Sequence, residues 1–171
     1  VTREELQRDL NAIQATGWFS DVRINPVNGP LGVQVVVQVE PFPTLSRVEL
    51  EPVSEELPEA VVDQIFSPDY GRTLNLNDLQ KRMKDLQAWY AGQGYSLARI
   101  SGPERVSPEG VVTLKLIQGS VAGVEVEFLN SDGSSTDENG DPIRGKTKEW
   151  VVTREISVQP GDTFNRNKLE R

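Results

Sequence analysis

One stretch of this chain occurs more than once, and that recurrence limits the fold more than any other feature. Gly71 laid over Gly161 keeps register without a gap for eleven residues. Gly71, Thr73, Asn75, Asn77 and Leu79 meet Gly161, Thr163, Asn165, Asn167 and Leu169, and Phe164 answers Leu74. Toward the amino terminus, Leu6, Leu10 and Ile13 repeat the spacing of Leu79, Met83 and Leu86, and Gly17-Trp18 answers Gly94-Tyr95. A period of roughly 75 to 90 residues exceeds the short repeats of solenoids, so each copy is expected to be a small domain. The register divides the chain into the back of one unit (1–41), one complete unit (42–119) and the front of a third (120–171).

The central copy gives the pattern of a whole unit. Leu45 to Glu51 alternates as a strand, with Val48 and Leu50 inward. Pro58 suits the start of a short helix, Glu59 to Phe66, that buries Val61, Val62, Ile65 and Phe66. After the Ser67–Gly71 break, Leu79, Met83, Leu86 and Tyr90 form one face of a long helix. Asn77 is placed to cap that helix, Asp78 suits its positive end, and Gly92 and Gly94 stop it. Ser96 to Ser101 and Val111 to Ile117 then read as strands flanking a turn region, 102–110. The fold class is α+β: strand, helix, helix, strand, strand, a three-stranded mixed sheet covered by two helices.

The flanking copies follow the same plan. Thr2-x-x-Glu5 is a capping box opening a helix to Ala15, with Leu6, Leu10 and Ile13 as its buried stripe. Trp18 and Phe19 are expected to plug the end of that core. Asp21 to Ile24 and Val33 to Val39 are strands around a turn at 28–32, with Val33, Val35, Val37 and Val39 on one face. In the third copy, Val124 to Glu127 repeats the pattern of Val48 to Glu51. Lys148 to Ile156 reads as the first helix, with Trp150, Val151 and Ile156 inward, and Phe164 to Arg171 opens the second. Two linkers separate the copies and are candidate hinges: Pro41, Phe42 and Pro43, which look stiff, and Gln118, Gly119 and Ser120, which look less so.

Composition excludes several functions. With 18 basic and 26 acidic residues the net charge is −8, which argues against a nucleic-acid partner. Cysteine and histidine are absent, removing thiol nucleophiles, Ser-His-Asp triads and the usual zinc sites. The acidic loop Asp132 to Asp141 lacks the terminal glutamate of a helix-loop-helix calcium site and reads as a solvated, mobile loop. Glu125 and Glu127 share a strand face, and a carboxylate-based hydrolase is the reading that would use them. Alternating glutamates on the outer face of a sheet explain them as well. Trp18, Trp89, Trp150, Tyr90 and Tyr95 read as core plugs, and Lys81, Arg82 and Lys84 as a solvated helix face. No cofactor, metal or catalytic residue is expected.

Sheet edges are the remaining candidate surface. An edge strand can take an extended segment of another chain by strand addition, with main-chain hydrogen bonds supplying affinity. The strand after each long helix is the candidate: Ser20, Asp21, Val22, Arg23, Ile24 and Asn25 in the first copy, and Ser96, Leu97, Ala98, Arg99, Ile100 and Ser101 in the second.

Three residue runs carry a family resemblance. They are Gly17-Trp18-Phe19-Ser20-Asp21-Val22; Tyr90-Ala-Gly-Gln-Gly94-Tyr95; and Thr153-Arg154-Glu155-Ile156 followed by Pro160-Gly161-Asp162-Thr163-Phe164-Asn165. In this order the chain resembles POTRA (polypeptide-transport-associated) domains of BamA-type outer-membrane assembly and translocation channels. The third unit looks like the barrel-proximal one, and the long loop after Leu129 looks like the cyanobacterial and chloroplast-envelope branch. The resemblance implies a non-enzymatic periplasmic (or envelope-facing) receptor that passes unfolded outer-membrane or precursor polypeptides to its own membrane β-barrel. It leaves room for a homo-oligomer or accessory proteins. It also admits a two-partner secretion transporter, whereas a cell-division scaffold is expected to carry one such unit rather than three.

Overall fold

A computed structural model describes residues 2–145 and 147–169. The chain forms two compact units, Val1–Trp89 with Arg99–Ile117, and Tyr90–Ala98 with Gln118–Arg171. Each unit therefore contains the join between two sequence copies.

The first unit begins with helix α1, Arg3–Ala15, capped by the expected box: the Glu5 amide donates to Thr2 Oγ1 while the Thr2 amide donates to the Glu5 carboxylate. Strands β1, Phe19–Gly29, and β2, Gly32–Pro41, form an antiparallel hairpin with Val22 opposite Val39 and Ile24 opposite Val37. Two expectations fail here. Leu6, Leu10 and Ile13 are half-buried rather than buried, and Val33, Val35, Val37 and Val39 are exposed. One helix against a two-stranded ribbon covers the hairpin base around Val22 and leaves the remaining valine face to solvent. Trp18 is likewise exposed and plugs no core.

Strand β3, Arg47–Glu51, helix α2, Glu59–Phe66, and helix α3, Leu76–Gly92, follow in the expected order, with a single 3-10 turn at Ser67–Asp69. Strands β4, Arg99–Val106, and β5, Val111–Ile117, complete a mixed sheet of order β3-β5-β4, parallel between β3 and β5 and antiparallel between β5 and β4. Val112, Leu114 and Leu116 of β5 are buried, Val48 lies beside Val112 in the ladder, and Val62, Phe66, Leu79 and Leu86 of the two helices are buried as well. Residues 102–106, expected as turn, belong to β4. The ladder register shifts between Ser101 and Arg105, where Pro103 has no amide to donate and the strand bends without ending.

In the second unit the join around Gly94 is followed by a chain with little regular structure. Val124 to Glu127, expected as a strand, joins no sheet: no described strand lies beside it to pair with its backbone. Helix α4 is short, Glu149–Thr153, and Trp150 lies exposed with the Arg154 guanidinium 5.3 Å from its ring centroid. The apolar side of α4 has no described sheet to rest on, so Trp150 is not core. Helix α5, Arg166–Leu169, starts two residues after the expected Phe164, and residues 170 and 171 of the expected helix lie outside the described residues. The acidic loop folds back on itself: the Asn130 amide donates to Ser134 O, Asp137 N to Asp141 O, and Ile143 N to Ser135 O.

Candidate functional site

The candidate surfaces are two strand edges and the two joins that precede them. In the first copy, Ser20–Asn25 all lie in β1. Val22 is buried and Ile24 half-buried, so their neighbours point outward. Asp21 and Arg23 pair at 2.5 Å, Ser20 Oγ donates to Glu40 O, and Asn25 Nδ2 donates to Gln38 Oε1. A shallow groove of about 190 Å³ beside this pair is lined by Asp21, Arg23, Gln38, Val39 and Glu40.

In the second copy the strand begins three residues later than expected. Ser96 and Leu97 form a turn, Ala98 is buried, and β4 starts at Arg99. The reason lies in the preceding helix end: Gly94 takes a positive φ of 95°, Tyr95 N donates to Tyr90 O, and Ala98 N donates to Tyr95 O. The Tyr90 and Tyr95 rings meet edge to face at 6.0 Å. Those local bonds occupy the backbone up to Ala98 and delay the ladder. Among the described residues the sheet order leaves β4 with a strand neighbour on one side only. On its other side the Ile100 amide donates to Gln87 Oε1 of α3 at 3.3 Å, so the chain itself covers one outward-facing group.

Neither linker hangs free. Phe42 N donates to Trp18 O, Leu74 N to Pro43 O, and Thr44 forms a bridge with Thr73. In the second join Phe164 N donates to Gly119 O, Ser120 bridges to Thr163, and Gly119 leaves just enough room for the Leu97 side chain.

The expected cap of α3 is displaced by two residues. Asn75 Oδ1, not Asn77, accepts the Asn77 and Asp78 amides at 2.9 and 3.2 Å. Asn77 instead turns its Nδ2 to the carbonyls of Ala15 and Thr16. The repeat register pairs both asparagines with Asn165 and Asn167, but the spacing does not distinguish which of the two caps the helix. Nothing in local propensity tells a residue facing its own helix from one facing another.

Electrostatics add two local features. Arg82 is not on a solvated face: its guanidinium bonds Asp69 at 2.8 Å, and that hydrogen bond raises its pKa further. Burial, then the hydrogen bond from its hydroxyl to Asp63, raises the Tyr70 pKa to about 12. A cleft of about 60 Å³ near Trp18, Asp69 and Asp78 holds little more than a water or two and falls far below a small-molecule site. Among the described residues no acidic cluster could hold a metal ion, and Glu125 and Glu127 are both exposed. No helix among them is long and apolar enough to cross a membrane.

Comparison with known proteins agrees with the topology. The model of the POTRA domain, ShlB-type, matches residues 43–119. The structure of POTRA1-3 of the periplasmic domain of Omp85 from Anabaena is 45% identical, with a TM-score of 0.85 over 99% of this chain and 68% of that one. The N-terminal domain of Omp85 from Thermosynechococcus elongatus is 38% identical, with a TM-score of 0.79 over 99% of this chain and 69% of that one. Chloroplastic outer envelope protein 80 of Oryza sativa is 23% identical over the whole chain, which spans about a quarter (24%) of its length. Repeat register, mixed β3-β5-β4 sheet and these likenesses lead to one conclusion: the chain belongs to the POTRA domains of the Omp85 family.

Proposed function

We propose that this chain is a periplasmic receiving module of a longer outer-membrane transporter. It offers sheet edges to extended segments of unfolded client polypeptides and passes them toward a membrane β-barrel. The observation that carries the reading is the position of β4, at the edge of the three-stranded sheet with a strand on one side only. Strand addition there needs no particular client sequence, which suits a receptor for many unfolded chains. The equivalent strand β1 of the first copy is the second candidate edge. The reading involves no chemical step. The three sequence copies, 1–41, 42–119 and 120–171, act as successive stations, the last nearest the barrel.

The test is a titration of the isotope-labelled chain with an extended outer-membrane peptide. Amide shifts are expected to concentrate in Arg99–Ser101 and the turn before it, or in Ser20–Asn25. Shifts confined to the outer faces of α1 and α3 would sink the proposal. The ShlB-type description of the matched model favours one other reading, a two-partner secretion transporter, which shares the receiving step and differs in the cargo. Preferential binding of one dedicated secreted partner over outer-membrane peptides would select it.

A further inference from the structure

Among the described residues the sheet β3-β5-β4 ends on two edge strands, and the chain treats those edges differently. An open edge is a row of unpaired amides and carbonyls that an extended chain can join. Along β3 that row is closed from both ends. Just before the strand, Leu45 N donates to Arg72 O at 2.8 Å and Gly71 N to Leu45 O at 2.9 Å, while the next amide, Ser46, turns toward β5 and donates to Gly110 O. Just after the strand stands Pro52, which has no amide to offer.

One side chain fills the middle. The Val48 amide donates to the Tyr70 hydroxyl oxygen, and that hydroxyl donates onward to Asp63 Oδ1 of α2 at 3.1 Å. Tyr70 stands directly after the 3-10 turn and next to Gly71, so the pairing of Gly71 with Leu45 holds its backbone beside the edge. Burial, then the bond to Asp63, raises its pKa to about 12, so the hydroxyl keeps its proton for Asp63 throughout the neutral range. The cover on β4 is looser. There the Ile100 amide is held at 3.3 Å by Gln87 Oε1, at the end of a flexible side chain. Gln87 releases the edge by giving up one long bond, whereas Tyr70 must break a bond on each side of its oxygen.

We propose that Tyr70 closes the β3 edge and so confines strand addition in the central copy to β4. This role rests on the receiving function proposed above and deepens it by naming the edge that clients do not use. With both edges open, one long unfolded chain would join β3 of one molecule to β4 of another, which is the route to edge-to-edge aggregation. With β3 closed, the sheet holds a client without being cross-linked by it.

Tyr70→Phe keeps the ring and removes both hydrogen bonds. Exchange of the Val48 amide is expected to accelerate roughly two- to tenfold, the range set by losing one hydrogen bond, while the Leu114 amide in the central strand stays slow and reports an intact fold. Asp63→Ala retains the hydroxyl, removes its anchor and is expected to accelerate Val48 by a smaller factor. An extended outer-membrane peptide is then added to each isotope-labelled chain. In the parent, amide shifts are expected at Arg99–Ser101 and none at Val48–Leu50; in Tyr70→Phe a second set appears at Val48–Leu50. Shifts at Val48–Leu50 in the parent would overturn the proposal, because the edge would then be open with Tyr70 in place. A Val48 amide that keeps its parent rate in both variants would overturn it too, as would one that is released and still takes no peptide. Absence of shifts at Arg99–Ser101 in the parent counts instead against reception by β4, and is read independently of Val48.

Discussion

Gln87→Ala isolates the edge of β4 with a single atom pair. In the free chain the Ile100 amide is held by Gln87 Oε1 at 3.3 Å. A client strand adding at this edge must take that amide for its own carbonyl, so it competes with the glutamine. A hydrogen bond contributes about 0.5–1.5 kcal/mol net, and one of this length belongs near the lower end. Removing a competitor of about 0.5–1 kcal/mol raises affinity roughly two- to fivefold, since about 1.4 kcal/mol corresponds to tenfold. Helix α3 itself should tolerate the change, alanine being the strongest helix former. The assay is fluorescence anisotropy of a labelled extended outer-membrane peptide, with Lys84→Ala as a control on an exposed part of the same helix. Amide exchange at Ile100 is expected to accelerate in the variant, confirming that the group has been released. If Ile100 is released and the peptide binds no more tightly, β4 is not where clients add.

Stability should divide along burial. Leu86 is fully buried on α3, so Leu86→Ala is expected to cost about 2–5 kcal/mol by chemical denaturation, whereas Leu31→Ala, at a fully exposed hairpin tip, should cost close to nothing. A comparable loss at both would mean that the hairpin tip is covered in solution. Alkaline pH offers a second check through Tyr70. Its pKa is raised to about 12 in the folded chain against an ordinary value of 10.0, so the unfolded chain loses the proton first. The contribution of Tyr70 is therefore complete below pH 10 and is lost as pH rises from there toward 12. Tyr70→Phe should flatten the fall in melting temperature over that window, and an identical pH profile would place the loss elsewhere.

The sequence alone determined the repeat, the α+β order of the central copy, the capping box at Thr2 and the residues that meet in its core. These are local or periodic properties: Leu79, Met83 and Leu86 must share a helix face wherever the helix packs, and β5 reads inward at every second residue in any sheet. Tertiary structure decided what covers each face and which partner each polar atom finds. It left the valines of β2 and Trp150 in solvent because no described sheet lies against them, and it started β4 at Arg99 because the Tyr90–Tyr95 helix end holds the preceding backbone. It also turned Asn75 and Asn77 toward the carbonyls of Ala15 and Thr16. That choice depends on about sixty residues of intervening chain folding back to the same place, and no local pattern records it. The amphipathic stretch that makes the repeat visible also contains the atoms that tie one copy to the next, and only long-range contact separates the two roles.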